Sequence, residues 1–461
     1  MMLQPAPRGG AIAEELAAWL AAAQPSTLPP AARETVGRLF LDVCGLCVAA
    51  RQSEYIRATL ASVDRGGRCT AIGHEGAFDA FGAALINGTA AHGEDFDDTF
   101  EGGPVHAGAV VVPAALAACE REGLAGDRLL LGIAAGAELM CRLSLVAPKA
   151  THAAGFHPTA VFGALAAAGG VAAALGLRAP EIASALGIAG SMASGIIEYL
   201  AEGTSTKRMH AGWAAQSGVR AALMARGGFD GPRTVLEGQH GFYRAFAPSV
   251  KPDFEPLRRD LGRAWVMEQI AFKPYACGTM TQPFVDCAIE LAQQGVRPDD
   301  ITDIVSDVGE GTVHRLWEPL AVKHRPPTPY AAKFSTPYCM AVGFFDGRAG
   351  FAQFTQARIE DAAVLALASK IRYSINPEDE YPRNFTGHLR ATLKDGSRRE
   401  IRRPYMRGGV HAPLSQEELD AKFMDNVLYG GWRSERGERV RRLSRELFGQ
   451  PGLAALAEFR S

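Results

Sequence analysis

Neither sign of charge dominates this 461-residue chain: 48 Lys and Arg stand against 50 Asp and Glu, a net charge of −2. So even a balance creates no global field for nucleic acid or an acidic membrane, and neither is expected as a partner. Long uninterrupted apolar runs are missing as well. The nearest, 160–177, is broken by Gly163, Gly169, Gly170 and Gly176, and reads as a buried helix rather than a membrane span. The first ten residues carry one arginine and two prolines, and are not expected to form a signal peptide. Grouped cysteines are lacking. Cys44-Gly-Leu-Cys47 has no second CxxC to complete four zinc ligands and lies within an apolar helical pattern, 36–50, so both thiols are expected to be structural. The same scatter leaves no iron–sulfur spacing. The eight cysteines sit mostly among apolar neighbours, which suits reduced thiols and a cytoplasmic location.

Strand-like alternation is scarce in the first half, where Ala- and Gly-rich helical patterns follow one another: 10–23, 31–50, 78–95, 108–122, 126–145, 158–175 and 179–188. Small residues at that density let helices pack closely. Glu138 and Arg142, four apart, predict a buried ion pair. Alternation appears at 303–308 and in a hairpin, 388–393 and 399–402, that turns at Lys394-Asp395-Gly396. A helix at 337–345 lies between them. Ser415 and Glu418 form a capping-box pattern that opens a later helix. The expected fold is mainly α: a large all-helical domain over 1–265, completed by 405–461, and a smaller α+β lid domain over 266–404.

Polar islands interrupt the apolar sequence. The first, His92-Gly93-Glu94-Asp95-Phe96-Asp97-Asp98-Thr99, continues to Pro104-Val105-His106. If the helix runs on through it, His92, Asp95 and Thr99 share one face and Asp97 points elsewhere. The plainer reading is a helix end with a solvated acidic turn. A second island, Thr151 to Pro158, sets His157 beside a helix N-terminus, where the dipole disfavours an imidazolium. A third, Gly203 to Trp213, offers Lys207, Arg208 and His210 with three hydroxyls, an anion seat without P-loop spacing. The fourth and fifth place Lys273 and Tyr275, then Lys333 and Ser335, near helix starts. For both, ordinary surface lysines are the plainer reading. A metal site from His92, Asp95, His106 and His157 is set aside, because the cations on the other islands would repel a metal and attract an anion. No metal and no cofactor are expected.

Taken in order, Asn87 to His92, Asp95-Phe-Asp-Asp-Thr99, Pro104-Val-His106, Gly155-Phe-His-Pro158, Thr206-Lys-Arg-Met-His210, Lys273-Pro-Tyr275 and Lys333-Phe-Ser335 resemble the MmgE/PrpD family. That family includes 2-methylcitrate dehydratases, cis-aconitate decarboxylases and iminodisuccinate epimerases. The resemblance implies a homodimer and a cofactor-free active site between a helical domain and an α+β lid. It points to Asp95, Thr99, His106, His157 and Lys207 as site residues, with Lys273 from the lid. One departure stands out: Cys277 to Gln282 lacks the histidine that dehydratases and decarboxylases of the family tend to carry there, which weighs against cis-aconitate decarboxylation.

The expected function is a dehydratase acting on a small hydroxylated di- or tricarboxylate, such as a citrate-like acid. Lys207, Arg208 and Lys273 would hold carboxylates, with His92, His210, Lys333 and Ser335 as further substrate contacts. His157 or Asp95 would remove the proton alpha to a carboxylate, and His106 or Tyr275 would protonate the leaving hydroxyl. An epimerase or isomerase, a decarboxylase, and a non-catalytic anion-binding protein remain as alternatives.

Overall fold

The computed structural model describes residues 10–460. The expectation about residues 1–9 lies outside them. The chain is mainly α and divides into two units, one of residues 10–93, 97–270 and 430–460, the other of residues 94–96 and 271–429. The expected return at 405 comes later, at Gly430. The Gln416–Tyr429 helix belongs to the second unit, where it packs on the short helix Phe351–Phe354.

The first unit is built around the Pro158–Leu175 helix, which packs against Gly126–Leu145, Thr206–Arg226, Ala179–Met192 and Gly108–Glu122. It contains no charged residue, begins on Pro158 and ends on Gly176 in the left-handed region. Proline at the first turn costs nothing, because that N–H has no partner within the helix. By length and composition this helix could cross a membrane, but nearly all of it is buried in the unit's interior. Close approach explains the small residues. A Cβ on Gly88 would lie 2.6 Å from the Cα of Gly212, so the Ala80–His92 and Thr206–Arg226 helices meet backbone to backbone. That contact brings His92 and His210 into one region of the unit.

Glu138 and Arg142 form the expected ion pair at 2.5 Å, both buried. The pair also fastens the chain that follows the bundle. Arg142 donates to the carbonyls of Pro256, Arg259 and Ala264, and Glu138 accepts from the backbone N–H of Met267. Each side-chain nitrogen and oxygen of the pair thus has a partner, as buried charges require.

The second unit holds a four-stranded sheet in the order Ile371–Ile375, Ile301–Val308, Gly387–Leu393, Arg398–Arg403. The first pair is parallel and the other two antiparallel. Leu389, Ala391 and Leu393 turn to the buried face, which the amphipathic Gln282–Gln293 helix covers. The hairpin turns at Gly396 with φ +82°, a conformation that glycine adopts without strain. Ser415 and Glu418 make the reciprocal capping-box bonds.

Arg142→Leu would strand Glu138 as an unpaired buried charge and free three carbonyls. The expected loss is about 3–5 kcal/mol, read as a lowered urea midpoint; an unchanged midpoint would show that the pair does not hold this segment.

Candidate active site

The Ala80–His92 helix stops at His92 and does not run on to Thr99. Gly93 sits against Tyr55, whose hydroxyl lies 2.4 Å from where a Cβ would be, and Asp95 adopts φ +57°. His92, Asp95 and Thr99 therefore share no helix face. Residues 94–96 group with the second unit while His92 and Asp97 stay in the first, so the island supplies two separate clusters.

The first-unit cluster consists of imidazoles. Nδ1 of His92 lies 2.7 Å from Oδ2 of Asp97, and both side chains are fully buried. Asp97, expected to be a solvated or structural charge, is the anchor of this cluster and has no exposure. The His106 ring sits 5.1 Å from that of His92, and its Nδ1 donates to the Asp98 carbonyl at 2.6 Å. Asp98 also caps the Gly108–Glu122 helix, its two carboxylate oxygens accepting from the N–H groups of Ala107 and Gly108 at 2.9 Å. Burial, with Asp97 and Asp42 nearby, holds its carboxyl well above the usual range. Thr159, which no sequence signal singled out, accepts from the backbone N–H of His106.

His157 stacks on His92 at 5.3 Å, and its own N–H bonds the Gly195 carbonyl. Its Nδ1 lies 3.1 Å from Nδ1 of His210. Tyr199 meets both rings edge-on. Burial first, then the neighbouring His92 and Lys207, pushes the imidazolium of His157 well below 6.5 and that of His210 down to about 4. Lys207 is buried in the first turn of the Thr206–Arg226 helix. Arg208, expected on a carboxylate, donates to the Gly93 carbonyl and lies 4.6 Å over the Tyr55 ring. Thr99 is buried in a two-residue strand beside Asp98.

Three of these groups, His92, Asp97 and His106, present ligand-type atoms within 4.8 Å of one another. However, Nδ1 of each imidazole is already committed, one to a carboxylate and the other to a carbonyl. An Nδ1 held in this way leaves Nε2 as the ring nitrogen that exchanges a proton or takes a ligand, so these hydrogen bonds fix the tautomer and orientation of both rings.

The second-unit cluster is a clamp on three successive carbonyls. Lys333 donates to that of Glu94 at 3.0 Å, Lys273 to that of Asp95 at 3.0 Å, and Lys422 to that of Phe96 at 2.7 Å. All three lysines are buried. Lys333 also pairs with the Glu94 carboxylate at 3.1 Å, and Lys422 lies 4.0 Å over the Phe96 ring. Lys273 and Lys333, expected to hold substrate, thus have backbone work to do: they fix a segment whose central residue, Asp95, sits in a costly conformation. The Asp95 carboxylate accepts from Tyr330 at 2.9 Å. Tyr330 and Lys422 carry no sequence signal, since their partners lie 235 and 326 positions away.

Two further expected site residues have partners within the second unit. Tyr275, expected as a proton donor, spends its hydroxyl proton on Asp286 at 2.6 Å and accepts from Arg407, and burial raises its phenol further. Ser335 accepts from the N–H of Tyr338 and donates to the Lys323 carbonyl, which makes it the cap of the Thr336–Asp346 helix.

Two outcomes follow. Lys422→Met leaves the Phe96 carbonyl unsatisfied and should lower stability by about 1–3 kcal/mol; a urea midpoint equal to that of the parent protein would remove the clamp from the account. The histidines also predict a pH dependence. His157, His210 and His74 have folded values below the unfolded 6.5, down to about 4 for the latter two. The unfolded chain therefore binds more protons as pH falls, and stability that is complete above pH 6.5 is lost towards pH 4. For His210 the gap corresponds to roughly 3 kcal/mol. Urea midpoints that stay level from neutral pH to pH 5 would contradict neutral burial.

Residues 14–255 match the MmgE/PrpD N-terminal domain, and residues 275–445 match the MmgE/PrpD C-terminal domain. A cis-aconitate decarboxylase of Homo sapiens is 31% identical over 361 residues, which cover 75% of this chain and 72% of that protein. A cis-aconitate decarboxylase of Aspergillus terreus is 28% identical over 448 residues, covering 89% of this chain and 88% of the relative. With both halves matched and the motifs running in order, the chain belongs to the MmgE/PrpD family.

Proposed function

We propose that the protein is a lyase for a small tricarboxylate or hydroxylated dicarboxylate, working by proton transfer through the imidazole cluster. The observation that carries this reading is the set His92, His106, His157 and His210, gathered with Lys207 in an apolar interior that disfavours the imidazolium of His157 and His210. A neutral imidazole beside a cation can take a proton from the carbon next to a carboxylate, while the cation offsets the charge that gathers on that carboxylate.

In the dehydration reading, Nε2 of His157 accepts the alpha proton. The C–H electron pair becomes the new C=C bond, and the hydroxyl leaves as water with a proton from His106. When His106 carries its second proton, Asp97, 3.7 Å from its Nδ1, offsets the positive charge. Lys207 holds a carboxylate. Asp95 gives way to His157 as the base, because its carboxylate is occupied by Tyr330. Correctly placed acids and bases of this kind contribute roughly 10²–10⁴-fold each.

The segment after Tyr275, without the histidine that dehydratases and decarboxylases of the family both tend to carry, favours neither reaction over the other. In place of a histidine, the Gln282 amide satisfies it internally: Oε1 accepts from the N–H of Tyr275, and Nε2 donates to the carbonyls of Tyr275 and Cys277. The relatives' names favour a second reading, decarboxylation of cis-aconitate, in which the departing group is CO₂ and the same imidazoles protonate the carbanion.

Purified protein should form an unsaturated carboxylate from citrate-like hydroxy acids, followed by ultraviolet absorbance and NMR. Under the second reading it should instead release CO₂ from cis-aconitate. His157→Gln should lower kcat by roughly 10²–10⁴-fold with KM little changed. Deuterium uptake from D₂O with neither alkene nor CO₂ formed would replace the lyase with an epimerase.

A further inference from the structure

His210 was expected to touch substrate. The structure gives it a different partner, Nδ1 of His157, at 3.1 Å in a buried setting. Two imidazole Nδ1 atoms at that distance share one proton. If both carried it, two N–H groups would point at each other; if neither did, two lone pairs would. The rings therefore hold complementary tautomers, and fixing one fixes the other.

We propose that His210 is a positioning residue that accepts the Nδ1 proton of His157 and so holds His157 in the tautomer whose Nε2 is the basic nitrogen. The fold restrains both rings. His157 is held by its backbone bond to Gly195 and by stacking on His92. His210 sits in the second turn of the Thr206–Arg226 helix, with Gly195 against its ring: a Cβ there would lie 3.4 Å from Nδ1 and Cε1. Tyr199 closes on both rings at 6.3 and 5.7 Å. Among the described residues no other hydrogen bond reaches either ring, so nothing competes for the shared proton. On accepting a proton at Nε2, His157 can pass the one on Nδ1 to His210, and the pair carries the charge on the ring farther from His92.

The role in turnover rests on His157 being the base, as proposed above; the tautomer does not. Histidine-selective ¹⁵N labelling of the full chain, with signals assigned through His157→Gln and His210→Asn, reads the tautomers without substrate. The expected spectrum has His157 protonated at Nδ1 and bare at Nε2, with His210 the reverse. His157 protonated at Nε2 overturns the proposal. His210→Asn, whose amide oxygen takes the place of Nδ1, should keep the His157 tautomer and most of kcat. His210→Leu should mix the tautomers and lower kcat by roughly 10–100-fold with KM little changed, the range for loss of a group that orients a reacting imidazole. An unmixed tautomer and parental kcat in the Leu variant also overturn it. A chain that turns over no carboxylate yet shows the expected tautomers separates failure of the functional reading from failure of this one.

Discussion

The hydrogen bond from His92 to Asp97 is the constraint from which the histidine cluster is built. It places an acid and an imidazole, both without exposure, inside helices composed largely of alanine and glycine. A carboxylate so buried must be satisfied by a donor, and the donor it finds is the ring on which His157 stacks. Asp98, the next residue, fastens His106 and the start of the Gly108–Glu122 helix. The Asp97 carboxylate and the Asp98 carbonyl thereby orient two imidazoles, and the packing of the bundle supplies the others.

The second unit solves a parallel problem with cations. Three buried lysines have as their bonded partners three consecutive backbone carbonyls, and the segment they hold carries Asp95 at positive φ. A carbonyl is a weaker partner for an ammonium than a carboxylate, but three in succession define the course of a chain segment as well as stabilising it. This redistributes roles. Lysines that looked like carboxylate holders bond the backbone, Tyr330 bonds the Asp95 side chain, and the proposed chemistry is assigned to the histidines and Lys207.

Much of this was legible where the determinants are local. Spacing by four gave the Glu138–Arg142 pair, the Ser415–Glu418 box marked a helix start, and Asp395-Gly396 marked the hairpin turn. The polar islands picked out His92, His106, His157 and His210 one by one as candidates, without showing that their rings lie together. What could not be read was partnership. The helix ends at His92, and Gly93 then sits against Tyr55, a contact across 38 positions that periodicity does not register. Asp97 and Asp95 are both aspartates in a run of four polar residues and one phenylalanine, and only tertiary burial assigns them to different clusters. Tyr275 and Ser335 are both buried, but one is spent on Asp286 and the other on a helix cap.

The central claim is that this interior keeps His157 and His210 neutral, so that His157 is available as a base. An NMR titration of the histidine Cε1–H signals from about pH 8 to pH 5 tests it most directly, since an ordinary histidine changes charge across that interval. The account predicts that the His157 and His210 signals hold still while exposed histidines move. Signals of those two rings that titrate near 6.5 would show that the cluster is charged in the working range, and the proton-transfer account would fall.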